Sequence, residues 1–231
     1  MITALVTGSN KGIGLEFCRQ LCARGDRVIG TCRRSSDELK TLPATTFEGV
    51  EMTSDEACTR LARELTGVGI DWLLLNAGVY DSAALGGLDF DRMRNEYDVN
   101  ALGPLRLTQV LRPNLSRGAK IALISSRAGS IGDNTSGGNY GYRMAKAALN
   151  MAGVSLARDL RAQGIAVVML HPGIVDTDLL RSGMKTLGQL VQSTDLIAPS
   201  IAVHSMLQRI DELTLETSGR FVHRNGQLLP W

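Results

Sequence analysis

Ile2-Thr3-Ala4-Leu5-Val6-Thr7-Gly8-Ser9-Asn10-Lys11-Gly12-Ile13-Gly14 joins a short apolar run to a glycine-rich turn, and Leu15, Phe17, Cys18, Leu21 and Cys22 then recur at helical spacing. The order predicts strand, turn, helix. In that context Gly8, Gly12 and Gly14, with Asn10, Lys11 and Ile13 between them, let the backbone approach a pyrophosphate. The helix N-terminus adds unpaired N–H groups and the positive end of its dipole. A glycine-rich turn alone is weak evidence, so its meaning depends on the rest of the chain.

Beyond the first helix the same alternation continues. Residues 28–32 and 46–51 read as strands, residues 55–65 as a helix, and residues 70–75 as a strand that runs into Asn76-Ala77-Gly78. The continuous apolar run of residues 70–75 marks a strand buried on both faces, as in a parallel sheet, and small polar residues at its carboxyl end lie where such sheets bind ligands. Residues 88–115 carry helical spacing interrupted at Gly103-Pro104, with Asn100 at an unfavourable interior position. Residues 119–124 form a fifth strand ending in Ser125-Ser126, and residues 165–170 a sixth that stops at His171-Pro172-Gly173-Ile174-Val175-Asp176-Thr177. Residues 194–209 predict a last helix and residues 220–222 a last strand. The expected fold is one doubly wound α/β domain over residues 1–231, with a mostly parallel seven-stranded sheet and helices on both faces. Leu179, Leu180, Met184, Leu187, Leu190 and Val191 make a short apolar segment, within about residues 178–197, that reads either as a lid over a cleft or as plain core. The closing Leu228-Leu229-Pro230-Trp231 is expected to be buried.

Chemistry enters with Tyr142 and Lys146, four apart and so on one helix face. A lysine cation about 4 Å from a phenol, at an effective dielectric of about 20, favours the phenolate by roughly 4 kcal/mol, or about three pK units at most. Such a pair can move a proton near neutral pH. The second strand ends in Cys32-Arg33-Arg34 with no carboxylate. At that place a carboxylate binds a ribose 2′-hydroxyl and an arginine accommodates a 2′-phosphate, so the residues favour NADP over NAD, with Lys11 as a second cation. The alternative is that Arg33 and Arg34 are solvated loop charges.

Composition removes other classes. A formal charge of +2 from 25 basic and 23 acidic residues gives no general field for nucleic acid or an anionic membrane. No uninterrupted apolar run reaches a membrane span, and no export signal is read at the N-terminus, so a cytoplasmic setting is expected. Cys18, Cys22, Cys32 and Cys58 form no Cys-x-x-Cys pair and lie near no histidine cluster, so no metal site or disulfide is expected.

Taken together, Thr7-Gly8 through Gly12-Ile13-Gly14, Asn76-Ala77-Gly78, Asn100, Ser126, Tyr142 with Lys146, and Pro172 through Thr177 resemble the short-chain dehydrogenase/reductase family over residues 6–221. Within it, the stretch from Tyr142 and Ser218-Gly219-Arg220-Phe221 look like the branch of bacterial C-factor proteins and sniffer-type carbonyl reductases. The resemblance implies NADP(H)-dependent interconversion of a carbonyl and an alcohol on a small or medium apolar substrate. Tyr142 would be the general acid and base, Lys146 would lower its pKa and hold the nicotinamide ribose, and Ser126 would bind the substrate oxygen. Asn100 would complete a proton relay, and Thr177 would bind the carboxamide. Gly8, Asn10, Lys11, Gly12, Ile13, Gly14, Arg33, Asn76, Ala77, Gly78, Pro172, Gly173 and Val175 would contact the cofactor. A homodimer or homotetramer is implied, and a signalling or interaction protein keeping this fold is the alternative. Two departures stand out: the separation from Ser126 to Tyr142 is longer than usual, so either the loop bulges or Ser125 takes part, and Glu51 stands where the family places an aspartate.

Overall fold

In the computed structural model, which describes residues 1–81, 83–187 and 196–231, Ala4, Leu5 and Val6 of β1 (Thr3–Thr7) are wholly buried. They are buried because the strand has neighbours on both edges and helices on both faces. Leu5 pairs with Ile29 of β2 (Arg27–Thr31) on one side and with Leu73 of β4 (Ile70–Leu75) on the other. With β3 (Thr45–Phe47), β5 (Leu115–Ile124), β6 (Ala166–His171) and β7 (Arg220–His223), the sheet runs β3-β2-β1-β4-β5-β6-β7, and every pair is parallel. The connection reverses direction between β1 and β4, so their carboxyl ends open onto a crevice.

Successive strand residues face opposite sides, and this divides the apolar residues into two cores. Leu5, Ile29, Leu73 and Leu123 pack with Leu61 of α3 (Asp55–Glu64), Leu107 of α5 (Gly103–Leu111) and Leu149 of α6 (Tyr140–Asp159). Ala4, Val6, Leu74 and Ile124 pack with Phe17 and Leu21 of α1 (Gly12–Ala23), Leu39 of α2 (Asp37–Lys40), and Val203 and Met206 of α8 (Pro199–Asp211). Two further helices are α4 (Phe90–Tyr97) and α7 (Asp178–Leu187). The doubly wound parallel architecture expected from sequence is the one observed.

The differences are local. The third strand keeps only residues 45–47; after it the Gly49 and Val50 N–H groups bond the Arg33 and Cys32 carbonyls at 3.0 Å each, and Val50 and Glu51 line the crevice. Gly103-Pro104 does not break the helical segment: a π-helical turn, Asp98–Leu102, joins α4 to α5, and Pro104 sits in the first turn of α5, where its missing N–H costs nothing. The last helix begins at Pro199 rather than 194, since Ala198, preceding a proline, is extended at φ −62° and ψ 142°. Residues 188–195, with Leu190, Val191 and Thr194, lie outside the described residues, so the expected lid is seen only in its first part, α7. At the carboxyl end Leu229 is buried, but Leu228 and Trp231 remain 58% and 48% exposed. Trp231 stacks on Phe221 at 5.7 Å, and its carbonyl accepts the Gly132 N–H at 2.7 Å, so Leu229 enters the core while Trp231 latches the loop after β5.

Candidate active site

The crevice is floored by the turn after β1. Gly8 has φ +63°, which a side chain disfavours, and a Cβ at Gly14 would overlap the Gly8 carbonyl oxygen and lie 2.6 Å from Asn76 Nδ2. The turn is stitched to the end of β4: Thr7 Oγ1 accepts the N–H groups of Asn76 and Ala77 at 2.9 Å each, and Asn76 Nδ2 donates to the Thr7 and Gly8 carbonyls at 3.0 and 3.4 Å. Asn76 therefore holds the glycine turn in shape. Lys11, at the N-cap of α1, makes no side-chain capping bond, so the first N–H groups of the helix face the crevice.

The resulting cleft of about 190 Å³ is lined by Gly8, Asn10, Lys11, Gly12, Ile13, Arg33, Asn76, Ala77, Gly78 and Thr177 among the residues singled out from sequence. Gly14, Pro172, Gly173 and Val175 lie behind the lining: Gly14 against the turn, Pro172 and Val175 buried, and Gly173 beneath Ile197 and Arg224. Thr31, Val50, Met52, Val79 and Val99 also line it, residues that the sequence pattern marked for no role in binding, together with Leu179 of the apolar segment expected as lid or core. Arg33 is 74% exposed at the rim, with Nη1 4.0 Å from Glu51 Oε1.

The chemical groups gather on the next strand and on α6. Ser126 caps a short 3-10 turn, its Oγ accepting the Ala128 N–H at 3.2 Å, and its hydroxyl bonds the Tyr142 phenol. Ser125 is turned away and donates to Asn150 Oδ1 at 2.6 Å. The long Ser126-to-Tyr142 separation is thus taken up by the loop, which turns through Gly137, Gly138 and Asn139 at positive φ and is braced by Arg143 bonds to Ser136 and Gly138. Asn100 sits in the π-helical turn with both ends of its amide committed to Val79, accepting from N at 2.9 Å and donating to O at 2.8 Å. It fixes the loop after Gly78.

Lys146 Nζ lies 5.7 Å from the Tyr142 ring centroid and donates to the Ile124 carbonyl at 2.8 Å. Burial pushes Lys146 down to about 8 and pushes Tyr142 well above the ordinary phenol range. The Ser126 bond opposes the rise in Tyr142, and Tyr80 and Glu96 add to it. The expectation that Lys146 brings the tyrosine near neutral pH is not met in this structure. Both shifts have one cause, since a site shielded from water disfavours charge on either group, and the ammonium is drawn to a backbone carbonyl.

Sequence reasoning missed Tyr80, whose ring centroid is 4.7 Å from that of Tyr142, and the buried Glu96. Glu96 stands one helical turn before Asn100, and that spacing was the available signal. Among the described residues no group of three or more metal-ligating side chains assembles, the four cysteines are free thiols, and no helix is long and apolar enough to cross a membrane.

Residues 2–187 match the family model of the short chain dehydrogenases. The chain is 42% identical over 233 residues to the 1-hydroxy-2-glutathionyl-2-methyl-3-butene dehydrogenase of Rhodococcus sp. (strain AD45), covering all of both chains. It is 45% identical over 165 residues to the C-signal of Myxococcus xanthus, covering 70% of this chain and 93% of that one. The NADPH-bound carbonyl reductase from chicken fatty liver superposes with a TM-score of 0.88 at 30% identity, over 100% of this chain and 99% of that one. The carbonyl reductase Sniffer of D. melanogaster gives 0.88 at 28% over the whole of both. A glycine turn clamped to β4, a serine bonded to a tyrosine and a lysine one turn beyond it therefore stand in a chain that belongs to the short-chain dehydrogenase family of oxidoreductases.

Proposed function

We propose that the protein is an NADP(H)-dependent oxidoreductase that interconverts a carbonyl and an alcohol, with Tyr142 as general acid in reduction and general base in oxidation. The observation that carries this reading is the pairing of Tyr142 with Lys146, whose Nζ lies 5.7 Å from the phenol ring centroid, with the Ser126 hydroxyl acting on the same phenol. The cleft residues fit a dinucleotide: the uncapped start of α1 faces the pyrophosphate position, and Lys11 and Arg33 at the rim supply two cations for a 2′-phosphate. The bound nicotinamide supplies or accepts the hydride.

In reduction the Tyr142 O–H donates its proton to the substrate oxygen as negative charge develops there. Ser126, whose Oγ accepts from Ala128, turns its proton from the Tyr142 phenol to the same oxygen when substrate is bound. The Lys146 ammonium stabilises the phenolate left behind, a state made only as the proton moves. Asn100 acts by holding Val79, and Thr177 lines the far wall. A positioned proton donor accounts for about a hundred- to ten-thousand-fold in rate. Tyr142→Phe should lose turnover on that scale while NADPH affinity and melting temperature stay as in the wild type. Retained turnover in that variant would remove Tyr142 from the mechanism. Medium-sized apolar carbonyls and an alcohol beside a glutathionyl thioether, the group named in the Rhodococcus relative, are the first substrates to screen.

The chain acts as one dinucleotide-binding domain, with α7 as the described part of its short cover, in a cytoplasmic setting. Exposed Phe90, Leu102, Leu105, Met144 and Met151 along α4, the π turn, α5 and α6 support self-association as a dimer or tetramer. The similarity to C-signal supports a second reading, a signalling protein with the same fold and cofactor. On that reading Tyr142→Phe leaves the biological effect intact.

A further inference from the structure

Glu96 on α4 is 2% exposed, and the proton transfer described above has no use for it. Its Oε1 accepts the Asp81 N–H at 2.7 Å. Its Oε2 lies against Gly141, where a Cβ would overlap it. A carboxyl group is thus wedged into the first turn of α6, one residue from Tyr142, and the missing side chain at position 141 is what admits it. Burying an ionisable group in this way is costly unless it is neutral or well bonded, so the placement calls for a reason.

Glu96 faces a small set of groups. Asp81 lies on the loop after β4 and is paired with Arg92 at 3.2 Å; Tyr80 lies on the same loop; Tyr142 and Arg143 come from α6, with Lys146 beyond the Tyr142 ring. The Glu96 charge acts on both tyrosines in one sense, disfavouring the phenolate of each. Arg143 acts in the opposite sense, on Tyr80.

We propose that Glu96 is a positioning residue that keeps Tyr142 in its protonated form and so biases the site toward carbonyl reduction. The proposal rests on the reading of Tyr142 as the proton donor. Reduction consumes the protonated phenol, whereas oxidation begins from the phenolate, which a neighbouring carboxylate opposes. Burial raises the Glu96 carboxyl to about 7, with the Asp81 N–H opposing and the Asp81 charge adding to the rise. The bias is therefore weak below neutral pH and strong above it.

The test is the pH profile of kcat in both directions, with NADP+ and NADPH and one alcohol–carbonyl pair that the wild type turns over, for the wild type, Glu96→Gln and Glu96→Asp. Removing the charge should move the acid limb of oxidation down by about one pH unit, so that oxidation at a fixed pH on that limb rises about tenfold. The alkaline limb of reduction should move down equally. Glu96→Asp keeps the charge and should keep the wild-type limbs whatever its rate. Coincident limbs in Glu96→Gln and the wild type, with unchanged NADPH affinity, would overturn the proposal. Should Glu96→Gln fail to fold, wild-type infrared difference spectra decide: a buried protonated carboxyl must ionise near pH 7, with an inflection in the oxidation profile at the same pH, and absence of either sinks the idea. Tyr142→Phe separates the two readings. If it retains turnover, the proton-donor assignment fails; if it is inactive and the Glu96→Gln limbs have not moved, only the Glu96 assignment fails.

Discussion

Arg33 leaves the end of β2 with three quarters of its side chain in solvent and only a distant carboxylate, Glu51, for a partner. An exposed guanidinium adds little to folding, so its replacement should be felt in binding. Arg33→Ala is expected to weaken NADPH binding about tenfold, or about 1.4 kcal/mol, with NADH binding unchanged and with less salt dependence than the wild type. Titration of both nucleotides at two salt concentrations checks it, and equal weakening of the two would show that Arg33 reads no 2′-phosphate. Arg33, like Tyr142, Lys146 and Ser126, could be singled out in the sequence because each proposed role goes with a residue type at a fixed distance from an element end. The state of the Tyr142–Lys146 pair was not legible, because it depends on how much water reaches the site and on the Ile124 carbonyl that accepts the lysine's hydrogen bond. Glu96 showed only its spacing from Asn100; its burial was illegible for a related reason, being made by the loop carrying Asp81 and by Gly141.

At the scale of elements, the turn between β1 and α1 is set by contacts rather than by strain alone. Gly14 lies in a helix with ordinary backbone angles, yet the space its Cβ would fill belongs to the Gly8 carbonyl and Asn76. Gly14→Ala should therefore push α1 off the turn, lowering stability by about 1–3 kcal/mol. NADPH affinity should fall with it, and a thermal melt alongside a nucleotide titration reads both. Elements with strong periodicity, such as residues 70–75, were read to the residue, since apolar continuity and the small residues after it mark both ends. The third strand and the joint at Gly103 were read less well. Glu48, Gly49 and Glu51 are poor strand formers and agree with the earlier end at Phe47, and a π turn preserves helical spacing across a proline that would otherwise signal a break. The loop after β5 carries no periodicity, and its path is fixed by Arg143 and by the chain terminus.

For the whole molecule, two buried groups tilt stability against pH in opposite senses. His171, at the end of β6 beside His223 with ring centroids 5.3 Å apart, is pushed down from 6.5 to about 3 by burial, then by the charges of His223, Arg127 and Arg224. Its neutral form is the folded form, so its contribution is complete above pH 6.5 and is lost as pH falls toward 3. Glu96 is raised from 4.5 to about 7, so its contribution is complete below pH 4.5 and is lost as pH rises toward 7. Between about pH 4.5 and 6.5 the two offset each other. His171→Gln should remove one side of that balance, sparing about 2–3 kcal/mol of acid destabilisation by pH 4 after allowance for its partial exposure. Denaturant titrations from pH 7 to 4 measure it, and parallel slopes in variant and wild type would show that His171 stays protonated in the fold.

The interior position of β1, between β2 and β4, also sets the order of assembly. One of its edges pairs with β2 close behind it, but the other waits for β4, and residues 8–69 must be made first. At ribosomal speeds of about 5–20 residues per second, the stretch from the end of β2 to the start of β4 leaves β1 half-paired for roughly 2 to 8 seconds in a nascent chain. A strand whose Ala4, Leu5 and Val6 are wholly buried in the finished protein is therefore, during synthesis, open along one edge to a wrong partner.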